Sequence, residues 1–291
     1  MSEPQSIQWF PGHMTKTRRR ITEQLKAVDA VAEIIDARIP ASSRNPDLAG
    51  IVVNKPGLIL MNKSDISDPA ANKIWSDFFR SDGKKVLTVD CRSGKGLGGF
   101  VPAVKEILSE KIERNRRRGM PGKMLRVMVV GVPNCGKSSF INRMARSAKT
   151  KVGDRPGVTR GEQWVSIGGG VELLDTAGVL WPKFDDMTVG EKLAFTGAVK
   201  DDITDSVHLA ARLIEKLNER YGSLVNERYK LGQESEGLSP SEILELIAKK
   251  RSMLMSGGVA DIERAANVVI DEFRAGKIGR ITLELPDEFE V

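Results

Sequence analysis

The 291 residues contain only two cysteines, Cys91 and Cys135. They make neither a disulfide framework nor a metal-ligand spacing, so both are expected as free thiols in a reducing compartment. Histidine is as scarce, with His13 and His208 alone. Aromatic residues are 5% of the chain, too sparse to suggest stacking platforms for single-stranded nucleic acid. No stretch approaches the roughly 18–20 apolar residues that would span a bilayer. The first ten residues lack an apolar core and carry Glu3, which argues against a secretory signal. These absences lead to the expectation of a cytoplasmic protein that does not engage a membrane.

What is present is an ordinary globular composition, 40% hydrophobic and 29% charged, with a net charge of +6. Basic residues gather in two runs, Lys16 to Arg20 and Lys111 to Arg118. Such runs are either solvated helix faces or sites for a polyanion, and composition alone leaves both open. The first two-thirds alternates short apolar segments with helical stretches. Ala30–Asp36, Leu58–Met61, Lys85–Val89, Leu125–Val130 and Val171–Leu174 read as strands buried on both faces. Helices are expected at Ala70–Arg80, Phe100–Arg114 and Lys137–Arg146, completing a βαβ grammar. After about Phe184 apolar residues recur at helical spacing, first from Ile203 to Tyr221 and last from Ile262 to Phe273, closed by Gly276. Between them Ser239-Pro240-Ser241-Glu242 reads as a capping box with proline at the first helical position. The expected division is an α/β domain over residues 1–184 and a small all-helical domain over 185–291.

Gly131-Val-Pro-Asn-Cys-Gly136-Lys137-Ser138 follows an expected strand and opens an expected helix, the context in which G-x-x-x-x-G-K-[ST] forms a phosphate-binding P-loop. Its glycines let backbone N–H groups wrap phosphates at the helix N-terminus. Pro133, Asn134, Cys135, Gly136 and Ser139 would line that cradle; Lys137 would reach the β- and γ-phosphates, and Ser138 would ligate Mg²⁺. Asn62-Lys63-Ser64-Asp65 chooses the base. The Asp65 carboxylate can accept from guanine N1–H and the 2-amino group, each charge-assisted bond contributing about 1.5–3 kcal/mol, and adenine presents no such pair. Asn62 would tie this segment to the P-loop, the Lys63 stem would cover the base, and Cys91-Arg92-Ser93-Gly94-Lys95-Gly96 would meet the base edge through its backbone. Asp175-Thr-Ala-Gly178 has the D-x-x-G spacing that brings Asp175 to Mg²⁺ through water and the Gly178 N–H to the γ-phosphate. Thr159, in Pro156-Gly-Val-Thr159, is the candidate to close over both. Asn-Lys-x-Asp and the base-edge segment precede the P-loop here, whereas an ordinary GTPase places them after it. The expected fold class is therefore an α/β P-loop GTPase domain with circularly permuted motif order, followed by a small helical domain.

The chain resembles the circularly permuted ribosome-biogenesis GTPase A (YlqF-type) family. The resemblance rests on these motifs together with Gln8-Trp-Phe-Pro-Gly-His13-Met14, Asp36-Ala-Arg38-Ile-Pro40 and the run from Asp175 to Phe184. It implies a protein that binds the large ribosomal subunit precursor late in assembly, with the helical domain over 185–291 as its RNA-binding part; the resulting expectation is a monomeric, GTP-hydrolysing switch stimulated by that subunit and its rRNA. The family usually has proline where Ala177 stands and serine where Cys91 stands; the second difference touches only a backbone-reading loop. Val179 occupies the place where many GTPases carry a water-orienting glutamine, so unassisted hydrolysis is expected to be slow. On residue chemistry His13 reads first as part of a Trp-Phe-Pro-Gly turn; the resemblance implies instead that its imidazole orients the attacking water. Asn134 is either a turn residue or, by resemblance to potassium-activated GTPases, a K⁺ ligand. The alternative to an enzyme is an RNA-binding assembly scaffold whose nucleotide site is structural and barely hydrolyses.

Overall fold

The computed structural model describes residues 19, 21–52, 54–149, 164–176, 187–199 and 205–289. Its centre is a six-stranded sheet in the order β3-β2-β1-β4-β6-β5. The strands are β1 (Ala30–Asp36), β2 (Gly57–Asn62), β3 (Lys85–Thr88), β4 (Leu125–Val130), β5 (Trp164–Ser166) and β6 (Val171–Asp175). All neighbours are parallel except β5 and β6. In β1 every residue but Glu33 is buried, the mark of an interior strand covered on both faces. The permutation is visible in one pairing: β1, near the start of the chain, lies parallel beside β4, the strand that leads into the P-loop.

Helices cover both faces of the sheet. They are α1 (Pro46–Val52), α2 (Pro69–Ser81), α3 (Phe100–Ile107), α4 (Ser109–Arg117) and α5 (Lys137–Lys149). On α2, Trp75 and Phe79 recur one turn apart and seat against Ile35, Ile59, Met61 and Val86. Ile21, Leu25, Val28 and Leu48 pack with Val31, Met128, Val130 and Leu174 in a second apolar cluster. Phe100 of α3 meets Phe140 of α5 edge to face at 4.9 Å. The helix expected over Phe100–Arg114 is two, broken at Leu108, whose φ of −109° and ψ of 17° leave the helical basin. Strand β5 was not anticipated: three residues give no periodicity, although Gly168, Gly169 and Gly170, all with positive φ, form the turn that returns the chain as β6.

The helical unit holds α6 (Met187–Phe195), α7 (Ser206–Arg220), α8 (Gly222–Tyr229), α9 (Pro240–Lys250) and α10 (Ile262–Arg274). Asp205 caps α7 by accepting from the Val207 and His208 N–H groups, and Asp261 caps α10 by accepting from Arg264 N–H. The capping box at Ser239 and Glu242 forms as expected. Two helices, α6 and α8, escaped the sequence reading because their apolar stripes are short. The chain does not divide at a single point. Ile66–Asp68 belongs with the helical unit, where Ile281 N–H donates to Ile66 O at 3.0 Å and Tyr221 Oη donates to Asp68 at 3.0 Å. Glu284 and the residues after it belong with the α/β unit.

Glu272 of α10 is gripped by Arg228 and Arg251, with Nε of Arg228 at 2.9 Å and Nη1 of Arg251 at 3.1 Å. Burial alone would raise this carboxyl; the two guanidinium groups outweigh it and hold it down to about 2. A carboxylate depressed in the folded state stabilises above its unfolded value of about 4.3, and that contribution is lost as pH falls toward 2. Glu272→Gln should therefore lower stability at neutral pH, and the gap from the parent should narrow between about pH 4.5 and 2 in denaturant titrations.

Candidate functional site

In an open parallel sheet ligands bind beyond the carboxyl ends of the strands. Here β1, β2, β3, β4 and β6 each deliver a motif there: Asp36, Asn62, the loop from Asp90, the P-loop and Asp175. The backbone of the P-loop requires its glycines. Gly131 has φ of 152° and faces Ile34 O and the Cys135 sulfur; Gly136 has φ of 109° and lies against the Asn62 amide. Any Cβ at either position would collide with these neighbours. Asn134 also adopts positive φ, 57°, at the exposed rim of the loop, with Pro133 half-buried beside it. Lys137, the first residue of α5, is buried, and its ammonium donates to Gly131 O at 3.1 Å and Val132 O at 2.8 Å. Ser138 and Ser139 are exposed at the same helix start.

Asn62 is the fastening between the two halves of the site. Its Nδ2 donates to Cys135 O at 2.7 Å, and its Oδ1 accepts from Cys91 N–H at 3.0 Å. The first bond joins Asn62 to the P-loop, as its sequence position led us to expect. The second, to the base-edge loop, was not foreseen. That loop is itself closed: Gly94 N–H donates to Asp90 O at 2.8 Å and Arg92 N–H to the Asp90 carboxylate at 2.8 Å. Asp65 is half-buried, and the exposed Arg92 guanidinium stands 3.8 Å from its carboxylate. Burial pushes the Cys91 thiol up to about 12 and raises Cys135 as well, which favours the protonated thiol at both.

A buried ion cluster that the sequence reading gave no chemical role stands behind these loops. Asp36, at the end of β1, accepts from Arg38 Nη2 and from Lys63 Nζ, each at 2.8 Å. Burial of Asp36 opposes its charge, but the two cations prevail and keep its carboxyl far below the usual carboxylate range. Lys63, held in this way, adopts a positive φ of 64°. The signal in the sequence was the Asp-x-Arg spacing at a strand end, where a carboxylate can fold onto its own i+2 neighbour.

Asp175 pairs with Val129 in register, and the next residue, Thr176, donates its hydroxyl to Val129 O at 2.6 Å. Burial raises the Asp175 carboxyl, with the Lys137 ammonium opposing. A divalent cation would relieve such a carboxylate, and the hard oxygens of Ser138 and Asp175 suit Mg²⁺. The expectations for His13, Thr159, Gly178 and Val179 lie outside the described residues. Of the second basic run, Lys111 is spent on Asp29 and Arg116 lies 3.9 Å from Glu113, whereas Arg114, Arg117 and Arg118 line, together with Ser109, Glu110 and Glu113, an open cleft of about 610 Å³ along α4. Among the described residues no helix is long and apolar enough to cross a membrane.

Residues 126–237 match the family model described as "50S ribosome-binding GTPase". The ribosome biogenesis GTPase A of Priestia megaterium is 46% identical over 98% of this chain and 99% of that protein. The protein of the same name from Thermotoga maritima is 35% identical over 97% of this chain and 95% of its own length. Among solved structures, GDP-bound YlqF superposes with a TM-score of 0.65 at 32% identity, covering 92% of this chain and 100% of that one. GNP-bound YlqF from T. maritima gives 0.64 at 31% identity, covering 94% and 99%. With its permuted motifs gathered at the carboxyl ends of the parallel strands of one sheet and this likeness running nearly the whole length of the chain, the protein belongs to the ribosome biogenesis GTPase A family.

Proposed function

We propose that this chain is a GTP-hydrolysing switch in assembly of the large ribosomal subunit, slow alone and stimulated by that subunit and its rRNA. It acts in the cytoplasm as a monomer. The observation that carries the nucleotide part is the Asn62 carboxamide, which bonds the P-loop on one side and the base-edge loop on the other. In this reading Asp65 takes the guanine N1–H and 2-amino group, and Lys137 leaves its two loop carbonyls to meet the β- and γ-phosphates. Ser138 and Asp175 would hold Mg²⁺, which when bound neutralises phosphate charge. Thr159 and the Gly178 N–H would close over the γ-phosphate, Asn134 would offer its amide oxygen to K⁺, and His13 would orient the attacking water. The family relationship supports the ribosomal partner. The open arginines of α4 support contact with rRNA phosphates.

Two measurements test this. In single-turnover hydrolysis, saturating large subunits should raise the rate by at least about tenfold, since holding water in line is worth several kcal/mol. Raising salt should weaken the effect steeply as counterions compete for the phosphates. Absence of turnover in either condition would favour a scaffold with a structural nucleotide. In equilibrium titrations, Asp65→Asn should bind GTP at least about tenfold more weakly and gain xanthosine nucleotides, whose 2-oxo group needs a donor. Parental GTP binding by this variant would dismiss the guanine assignment.

A further inference from the structure

Among the described residues the most deeply buried carboxylate lies outside every motif. Glu284 has no solvent exposure, and it sits at the point where the chain leaves the helical unit and joins the α/β unit. Burying a carboxylate is costly unless donors surround it. Here Oε1 accepts from the N–H groups of Ala41 and Ser42, the latter at 2.9 Å, and Oε2 accepts from the Ser42 hydroxyl at 2.6 Å. Its own carbonyl accepts from Trp75 Nε1 at 2.9 Å, and Phe289 packs 6.0 Å from the Trp75 ring, so the segment is anchored on α2 as well.

What Glu284 holds is the loop after β1. Asp36 at the end of β1 and, within that loop, Arg38, Ser42, Ser43 and Asn45 are all buried, an unusual density of polar side chains for a connection. Its other end grips the guanine segment. The Ser43 hydroxyl accepts from Asp36 N–H at 3.0 Å, the Asp36 carboxylate holds the Lys63 ammonium, and Ala37 N–H donates to Asn62 O at 2.8 Å. Asp65 follows Lys63 by two residues. Hydrogen bonds at Ser42 and Ser43, adjacent in the chain, and the Asp36–Lys63 ion pair thus link Glu284 stepwise to the backbone that presents Asp65.

We propose that Glu284 is a positioning residue for base recognition: by clamping Ala41 and Ser42 it fixes the Asp36–Lys63 pair and thereby the aim of the Asp65 carboxylate. This rests on the reading of Asp65 as the guanine-recognising group. The inosine base keeps N1–H but lacks the 2-amino group, so the preference for GDP over IDP reports the aim of Asp65 separately from overall affinity.

The test is titration of the full-length chain with GDP, IDP and XDP, comparing the parent with Glu284→Ala, Glu284→Gln, Ser42→Ala and Asp65→Asn. Glu284→Ala should bind GDP about tenfold more weakly and lose most of the preference for GDP over IDP. Glu284→Gln keeps an oxygen for the two amides and offers an N–H to the Ser42 hydroxyl, so it should restore the parental preference. Ser42→Ala should show a smaller loss in the same direction. Glu284→Ala that weakens GDP and IDP equally, or neither, would overturn the proposal, since that is what a merely structural role gives. If Glu284→Ala does not fold, a parental preference in Ser42→Ala overturns it instead. Failure of Asp65→Asn to gain XDP would remove the guanine reading itself and the inference with it, an outcome distinct from the others.

Discussion

The site depends on one carboxamide. Asn62 has a donor and an acceptor on the same rigid plane, and it uses both across the sheet, on the Cys135 carbonyl of the P-loop and on the Cys91 amide of the loop after β3. Three loops from three strands are held in one arrangement by two hydrogen bonds. No other side chain of that size offers this pairing: aspartate lacks the donor, and leucine lacks both. The collision of any Cβ at Gly136 with this amide shows how closely the P-loop has been drawn in.

That fastening explains why motif order can change without changing the site. The carboxyl ends of the five parallel strands converge whichever strand comes first in the chain. Permutation only requires that β1 and β4 lie side by side while far apart in sequence, and their parallel register meets that requirement. It also alters what each motif is connected to. The residues after Asp65, Ile66–Asp68, pack within the helical unit, and the chain leaving that unit delivers Glu284 to the loop behind Lys63. The Asn62–Asp65 segment is therefore followed directly in the chain by residues of the helical unit.

Much of this was legible from residues alone. The strand runs of β1 and β4 were located at their observed bounds because both are dominated by apolar and β-branched residues, and the P-loop, Asn-Lys-x-Asp and D-x-x-G motifs indicated which ends would converge. The bond from Asn62 to Cys135 followed from motif logic. Its partner bond to Cys91 did not, since a backbone amide leaves no trace in composition. Glu284 was invisible for a related reason: nothing in a lone glutamate near the C-terminus tells that it will be buried under Ala41 and Ser42, more than 200 residues away. The break at Leu108 was missed because the stretch on either side remains helical in pattern and only one residue departs.

The most direct test of the account is the GDP affinity of Asn62→Asp. This change keeps the acceptor for Cys91 N–H and sets a carboxylate against the Cys135 carbonyl, leaving the backbone pairing of β2 untouched. A loss of at least about tenfold in GDP affinity with an unchanged circular dichroism spectrum is expected, as befits removal of one buried hydrogen bond and introduction of a repulsion. Parental GDP binding by this variant would contradict it, because the loops would then hold their arrangement without the interaction on which the site is argued to rest.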